Sequence, residues 1–134
     1  DRNRARRRYA PLAAWIAFGL LLFLLFVTIL YYPLFRTEQL AERLASTEPG
    51  VAADAADALV RMGGRTARQT LARVARTGST PAARGRAIDA LGRLPGPEAA
   101  QMLRQIADDP ETPEALRLRA HDALAHQQRF RAPP

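Results

Sequence analysis

The sequence predicts an all-α protein in which a single transmembrane helix near the N-terminus is followed by a short α-solenoid of about two and a half helical hairpins. Two observations predict this class. No charged side chain interrupts the run from Tyr9 to Phe35, and the tripeptide Asp-Ala-Leu occurs at residues 57–59, 89–91 and 122–124. A long uncharged run is typical of a membrane span, and a fixed period of 20–50 residues is typical of stacked repeats.

The first predicted element is a basic arm over residues 1–10. The chain has a net charge of +7, and its first eight residues carry five arginines against one aspartate. From Thr37 onward, fourteen arginines face twelve acidic residues, so the remainder is nearly balanced. We therefore expect the arm to lie against anionic lipid headgroups or a partner, and we expect no nucleic-acid partner. The absence of cysteine excludes disulfides, thiolate metal sites and a cysteine nucleophile.

The second predicted element is a transmembrane helix over residues 11–33. Residues 12–30 alone would span about 28 Å as a helix, close to the hydrocarbon thickness of a bilayer. Thirteen of them are Leu, Ile, Phe or Val, which favours insertion by several kcal/mol. Aromatic side chains expected at the two membrane interfaces are Tyr9, Trp15, Tyr31, Tyr32 and Phe35. Small residues that would let another membrane helix approach closely are Ala13, Ala17 and Gly19.

The orientation follows from the flanking charges. Five arginines precede the span, whereas only Arg36 and Arg43 follow closely, so the N-terminus is expected in the cytoplasm. In a bacterium this predicts an inner-membrane protein with residues 37–134 in the periplasm. Two alternatives stay open, namely a buried core helix and a cleaved signal peptide. The signal peptide is disfavoured because bulky residues, at 31–35, stand where a peptidase requires small ones.

Residues 34–48 are expected to form a connector and a first helix, entered after a break near Pro33. The repeats are predicted over 49–127, and a C-terminal tail over 128–134. A shift of 32 residues aligns Pro49 with Pro81, and a third copy begins at Pro113 with one extra residue. Each copy reads as two helices joined at a Gly-containing turn, at residues 63–64 and 95–97. Hydroxyls and carboxylates before Pro81 and Pro113 are expected to cap the helices that follow.

Residues 83–110, "ARGRAIDALGRLPGPEAAQMLRQIADDP", resemble the short bacterial HEAT-like repeat, the type also found in phycobilisome-lyase proteins. The positions that match the family pattern are Arg84, Ala87, Ala90, Leu91, Gly92, Gly96, Pro97, Leu103 and Asp108. The first copy departs from it at Val60 and Arg65, and the third copy loses the turn. The resemblance extends over about residues 49–127 and implies an α-solenoid with a binding role.

No catalytic or metal site is legible in the sequence, and no cofactor is expected. His121 and His126 are five residues apart and are expected to be solvated surface side chains. The repeated Asp57, Asp89 and Asp122 fall on successive repeats, where a structural role with backbone or a nearby arginine is expected.

The candidate contact surface is the side of the second helices that faces away from the core, where solenoids usually bind partners. The residues predicted there are Gln69, Ala72, Arg73, Gln101, Arg104 and Gln105. A merely solvated face remains the alternative. We expect a non-catalytic, single-pass accessory or scaffold subunit that stabilises a larger membrane complex, such as a respiratory or photosynthetic one. The alternatives are a membrane-anchored adaptor that recruits a soluble client and, on the resemblance alone, a lyase-like maturation factor.

Overall fold

The computed structural model describes the backbone of residues 2–131, and the side chains of residues 14–32 and 35–129. Within that range it is all-helical, with no strand. The chain divides into two compact units, Asp1–Phe35 and Arg36–Pro134. The helices are α1 (Arg2–Leu44), α2 (Pro49–Met62), α3 (Gly64–Thr77), α4 (Pro81–Arg93), α5 (Pro97–Asp108) and α6 (Glu114–Arg131).

The first unit consists of the N-terminal part of α1. Among the described residues, only α1 is long and apolar enough to cross a membrane, with a mean hydropathy of 2.5 over its most apolar window. The large apolar side chains described between Trp15 and Tyr32 are exposed, Trp15 to 74%, and Phe35 is exposed as well. The side chains of Tyr9, Ala13 and the basic arm lie outside the described residues.

The break expected near Pro33 is absent, because α1 continues as one helix to Leu44. A proline removes a single backbone hydrogen bond, and the helix-forming residues on both sides sustain the helix here. The predicted connector within 34–48 is thus reduced to the turn after Leu44. Similarly, α6 extends four residues past the predicted end of the repeats at 127, so the tail begins inside a helix.

The second unit consists of two helix layers. The first-helix layer contains α2, α4 and α6, and the second-helix layer contains residues 36–44 of α1 followed by α3 and α5. Ala41 and Leu44 of α1 belong to the core. Residues 36–44 therefore take the position of the second helix of a hairpin that has no first helix in the described part of the chain. The largest buried apolar side chains between the layers are Leu44, Leu59, Leu71, Ile88, Leu91, Leu103 and Ile106. Alanine supplies most of the other core positions, so the layers lie close together around a thin core.

The expected turn chemistry is confirmed at several positions. Thr80 caps α4, because its Oγ1 accepts a hydrogen bond from the backbone N–H of Ala83 at 3.1 Å. Gly63 and Gly96 have φ values of 57° and 115°, in the region that favours glycine. The cap expected before Pro113 differs: the Asp109 carboxylate accepts hydrogen bonds from the Glu111 backbone N–H and the Thr112 hydroxyl, within the turn that precedes α6 and not from α6 itself. These bonds hold the pKa of Asp109 below its ordinary value.

Gly92 lies where α4 packs closely against α6. A Cβ placed on Gly92 would lie 2.9 Å from the Cβ of Ala123, and 3.5 Å from its Cα. These neighbours belong to a short side chain and its backbone, so they have no flexible end that could move away. The glycine therefore sets the spacing of these two helices, whereas α2 carries Val60 at the equivalent position.

Gly92→Ala should destabilise the domain by about 1–3 kcal/mol, because the added methyl overpacks the α4–α6 contact. Gly50→Ala is the matched control, since a Cβ on Gly50 meets nothing within 4 Å. That change should be neutral or stabilising by up to about 1 kcal/mol through helix propensity. Chemical denaturation of the two variants measures both effects. Equal shifts in the same direction would contradict this assignment of Gly92.

Candidate interaction surface

A strip of polar side chains runs along the outer side of the second-helix layer. Gln69 and Arg73 lie on α3, and their side chains are exposed. Gln101, Arg104 and Gln105 lie on α5 and are exposed as well. The helical periodicity places Leu71 and Leu103 on the buried side of the same helices, so the exposed residues share one face. The structure thus places all five predicted polar residues on the solvent side of neighbouring helices.

Cross-helix polar contacts hold this strip in place. Arg73 Nη2 lies 2.7 Å from Glu38 Oε2, which joins α3 to the end of α1. Between α3 and α5, Arg68 Nη2 lies 2.6 Å from Glu98 Oε2, and Arg76 Nη2 donates to Gln105 Oε1 at 3.5 Å. Surface pairs of this kind contribute about 0–1 kcal/mol each. Their main consequence is to order donors and acceptors along one face.

The prediction for one residue of this face is wrong. Ala72 was expected to face away from the core, but it is 3% exposed and belongs to the buried cluster. The reason is the packing of α3, which contacts α2, α4 and α5. A helix surrounded by three others buries a wider stripe than a helix that packs on one side only.

The repeated aspartates join successive first helices. Asp57 Oδ1 on α2 lies 2.5 Å from Arg93 Nη1 on α4. Asp89 on α4 accepts two hydrogen bonds from Arg119 on α6, at 2.8 Å and 2.7 Å. The bond from Arg93 holds the pKa of Asp57 below its ordinary value, and the charge of Arg61 acts in the same direction. Asp89 raises the pKa of the Arg119 guanidinium. The expected structural role is confirmed for Asp57 and Asp89.

Three polar side chains that close helix ends were not assigned this role from the sequence. Arg84 Nε donates to the Ala75 carbonyl at 2.9 Å, and Arg86 Nη1 donates to the carbonyls of Leu44 and Ser46. Gln127 Nε2 donates to the carbonyls of Leu91 and Leu94. Carbonyls in a last helical turn lack helical partners, so these side chains complete the ends of α3, α1 and α4. Arg84 is a position that the repeat pattern pointed to; Arg86 and Gln127 carry no comparable signal.

Two cavities were also not foreseen. One, of about 390 Å³, lies beside the α4–α5 turn, lined by Gly92, Arg93, Leu94, Pro95, Gly96, His126 and Gln127. The other, of about 620 Å³, is a groove between residues 36–43 of α1 and helix α2. Finding this groove requires knowing which helices pack side by side, which the sequence pattern alone does not specify. His121 and His126 are exposed, and no group of three or more potential metal ligands forms within the described chain.

Two layers of helices, repeated about every 32 residues around a shared core, define an α-solenoid. Residues 37–125 match the sequence profile described as HEAT repeats. The chain therefore belongs to the HEAT-repeat family. No curated protein and no solved structure shows a significant match to it.

Proposed function

We propose that this chain is a non-catalytic, single-pass accessory or scaffold subunit of a larger membrane protein complex. The observation that carries the proposal is the joining of two elements in one chain. The exposed apolar side chains between Trp15 and Phe35 need a bilayer or a partner to cover them. The HEAT-repeat unit beyond Arg36 presents an ordered polar face of the kind that solenoids use for binding.

The proposed arrangement follows from charge. Residues 11–33 span the inner membrane, the arginine-rich arm lies on the cytoplasmic side, and the repeats lie in the periplasm. Trp15, Tyr31, Tyr32 and Phe35 contact the membrane interfaces. Ala17 and Gly19 permit a second membrane helix to approach. The repeat unit contacts extramembrane parts of the complex through the polar strip, whose members are Gln69, Arg73, Gln101, Arg104 and Gln105.

The test is purification of the full tagged chain from its native membrane in mild detergent. Native-gel sizing and mass spectrometry of the accompanying proteins should give one large species of fixed composition. Arg104→Glu should release the partners, because it places an acidic side chain at the centre of the α5 face. Arg129→Glu is the matched control, with the same charge change on an exposed position of α6, and should leave the species intact.

A chain that runs alone, near its own mass plus detergent, would contradict the subunit proposal. Recovery with one soluble protein in variable amounts would instead support the alternative, an anchored adaptor that recruits a client. Equal loss of partners in Arg104→Glu and Arg129→Glu would remove the polar strip from the proposal.

A further inference from the structure

The groove between α1 and α2 lies where a further helix of the first-helix layer, preceding α2, would pack. In the complete repeats, α2 packs against α3 and α4, and α4 packs against α5 and α6. Residues 36–44 of α1 and helix α2 offer the two packing surfaces that a preceding helix of the first-helix layer would need. In the described part of the chain, no helix occupies these surfaces. The resulting groove is lined by Arg36, Gln39, Leu40, Arg43, Val51, Asp54, Ala55, Ala58 and Arg61.

Arg61 indicates what the missing helix should carry. It lies 32 residues before Arg93, which pairs with Asp57 of the preceding first-layer helix. By the same register, Arg61 would pair with an aspartate on a helix that preceded α2. Its charge acts on Asp57, one turn earlier on its own helix. Among the described residues it forms no ion pair with another helix.

The opposite end of the array presents the matching face. The third copy has one extra residue, so a shift of 33 residues relates it to the second copy. Asp122 on α6 therefore corresponds to Asp89 on α4, and Leu118 corresponds to Gly85. Gly85 is buried against Arg119 of the next helix. Leu118, by contrast, is 59% exposed. Asp122 is exposed and accepts no hydrogen bond within the part of the chain that the structure describes.

We propose that α6 of one copy docks into the groove of a second copy, so that Asp122 pairs with the second copy's Arg61. Leu118, one turn before Asp122, then lies beside Asp54, the α2 position in register with the Arg119 that Gly85 meets, and next to the apolar lining residues Ala55 and Ala58. The contact continues an interface that the chain already repeats twice, between α2 and α4 and between α4 and α6. The docked α6 and the second copy's residues 36–44 together complete one helical hairpin.

A second copy of this chain is favoured over a helix of another protein as the occupant of the groove, because the two ends of the array carry complementary charges. An unpaired arginine at one end and an unpaired aspartate at the other occur in equivalent registers of the same repeat. The contact is heterologous, since two different surfaces meet, so its geometry permits a ring or an open chain of copies. The inference goes beyond the proposed function, because it concerns contacts between copies and uses neither the polar strip nor another complex.

Charge reversal tests the proposal on the full chain in detergent, by sedimentation velocity at rising chain concentrations. Arg61→Asp and Asp122→Arg should each weaken self-association by about tenfold, because each places like charges opposite one another. A mixture of the two variants should restore association to within about twofold, since each then meets an opposite charge. The double variant Arg61→Asp/Asp122→Arg should also be restored. Arg65→Asp, at an exposed position on α3 outside the groove, is the matched control and should associate like the unchanged chain.

Three outcomes would overturn the proposal. They are a monomer at every concentration, an association that the charge reversals leave unchanged, and a mixture that fails to recover. A monomer would leave a helix of another protein as the occupant of the groove. Far-ultraviolet circular dichroism of each variant verifies the fold. Copurification measures binding of other proteins through the polar strip, whereas sedimentation measures self-association through the groove. Failure of one proposal is therefore distinguishable from failure of the other.

Discussion

Leu91→Ala is expected to destabilise the repeat unit by about 2–5 kcal/mol. Leu91 lies on α4 in the middle of the array and is fully buried in the core between the two helix layers. More than half of the core cluster consists of alanines, whose short side chains cannot extend into the space that the lost side chain leaves. The cavity therefore remains, and its cost adds to the lost burial of the removed carbon atoms.

Chemical denaturation followed by circular dichroism measures this effect. Leu118→Ala is the matched control, because it makes the same change on α6 at a side chain that is mostly exposed. At low chain concentration the control should lie within about 0.5 kcal/mol of the unchanged chain. A similar shift in both variants would show that Leu91 does not occupy a tightly packed core.

The second large effect is expected in the apolar segment of α1. Leu22→Arg combined with Leu25→Arg places two charges near the middle of residues 11–33. Each arginine at the centre of a membrane helix costs about 2.5–3.5 kcal/mol on the insertion scale, and each lost leucine removes a favourable contribution. The double variant should therefore move from the membrane pellet to the supernatant during alkaline carbonate extraction.

Leu22→Ile combined with Leu25→Ile is the control for this experiment, since it keeps the apolar character of both positions. The control should remain in the pellet, as should the unchanged chain. Retention of the double-arginine variant would contradict the proposed span and assign membrane attachment to another part of the chain. An unchanged chain found only in the soluble fraction would support the cleaved signal peptide instead.

The repeat organisation was predictable because it depends on local features that recur along the chain. Turn glycines at 63–64 and 96, prolines at 49 and 81, and apolar residues at helical spacing each act within a few residues. Such signals predict helix ends and the buried face of a helix that packs on one side. They also predicted a helix within residues 34–48, and its residue Leu44 is buried in the core of the array.

The aspartate of each repeat was only partly interpretable from the sequence. Its recurrence indicated a structural role, but the partner differs between repeats. Asp57 meets Arg93, one turn after Asp89, whereas Asp89 meets Arg119, one turn before Asp122. The arginines of successive repeats stand at different positions, so the partner depends on which arginine of the adjacent helix lies within reach of the aspartate.

The sequence by itself determined the helical class, the 32-residue hairpins, their turns and the apolar N-terminal segment, since all of these follow from periodicity and local backbone preference. Only the tertiary structure decided which helices neighbour one another. That arrangement buries Ala72, brings residues 36–44 into the core, and leaves the groove beside Arg61 open. The physical reason is that burial and ion pairing depend on contacts between residues about thirty positions apart, which no local pattern encodes.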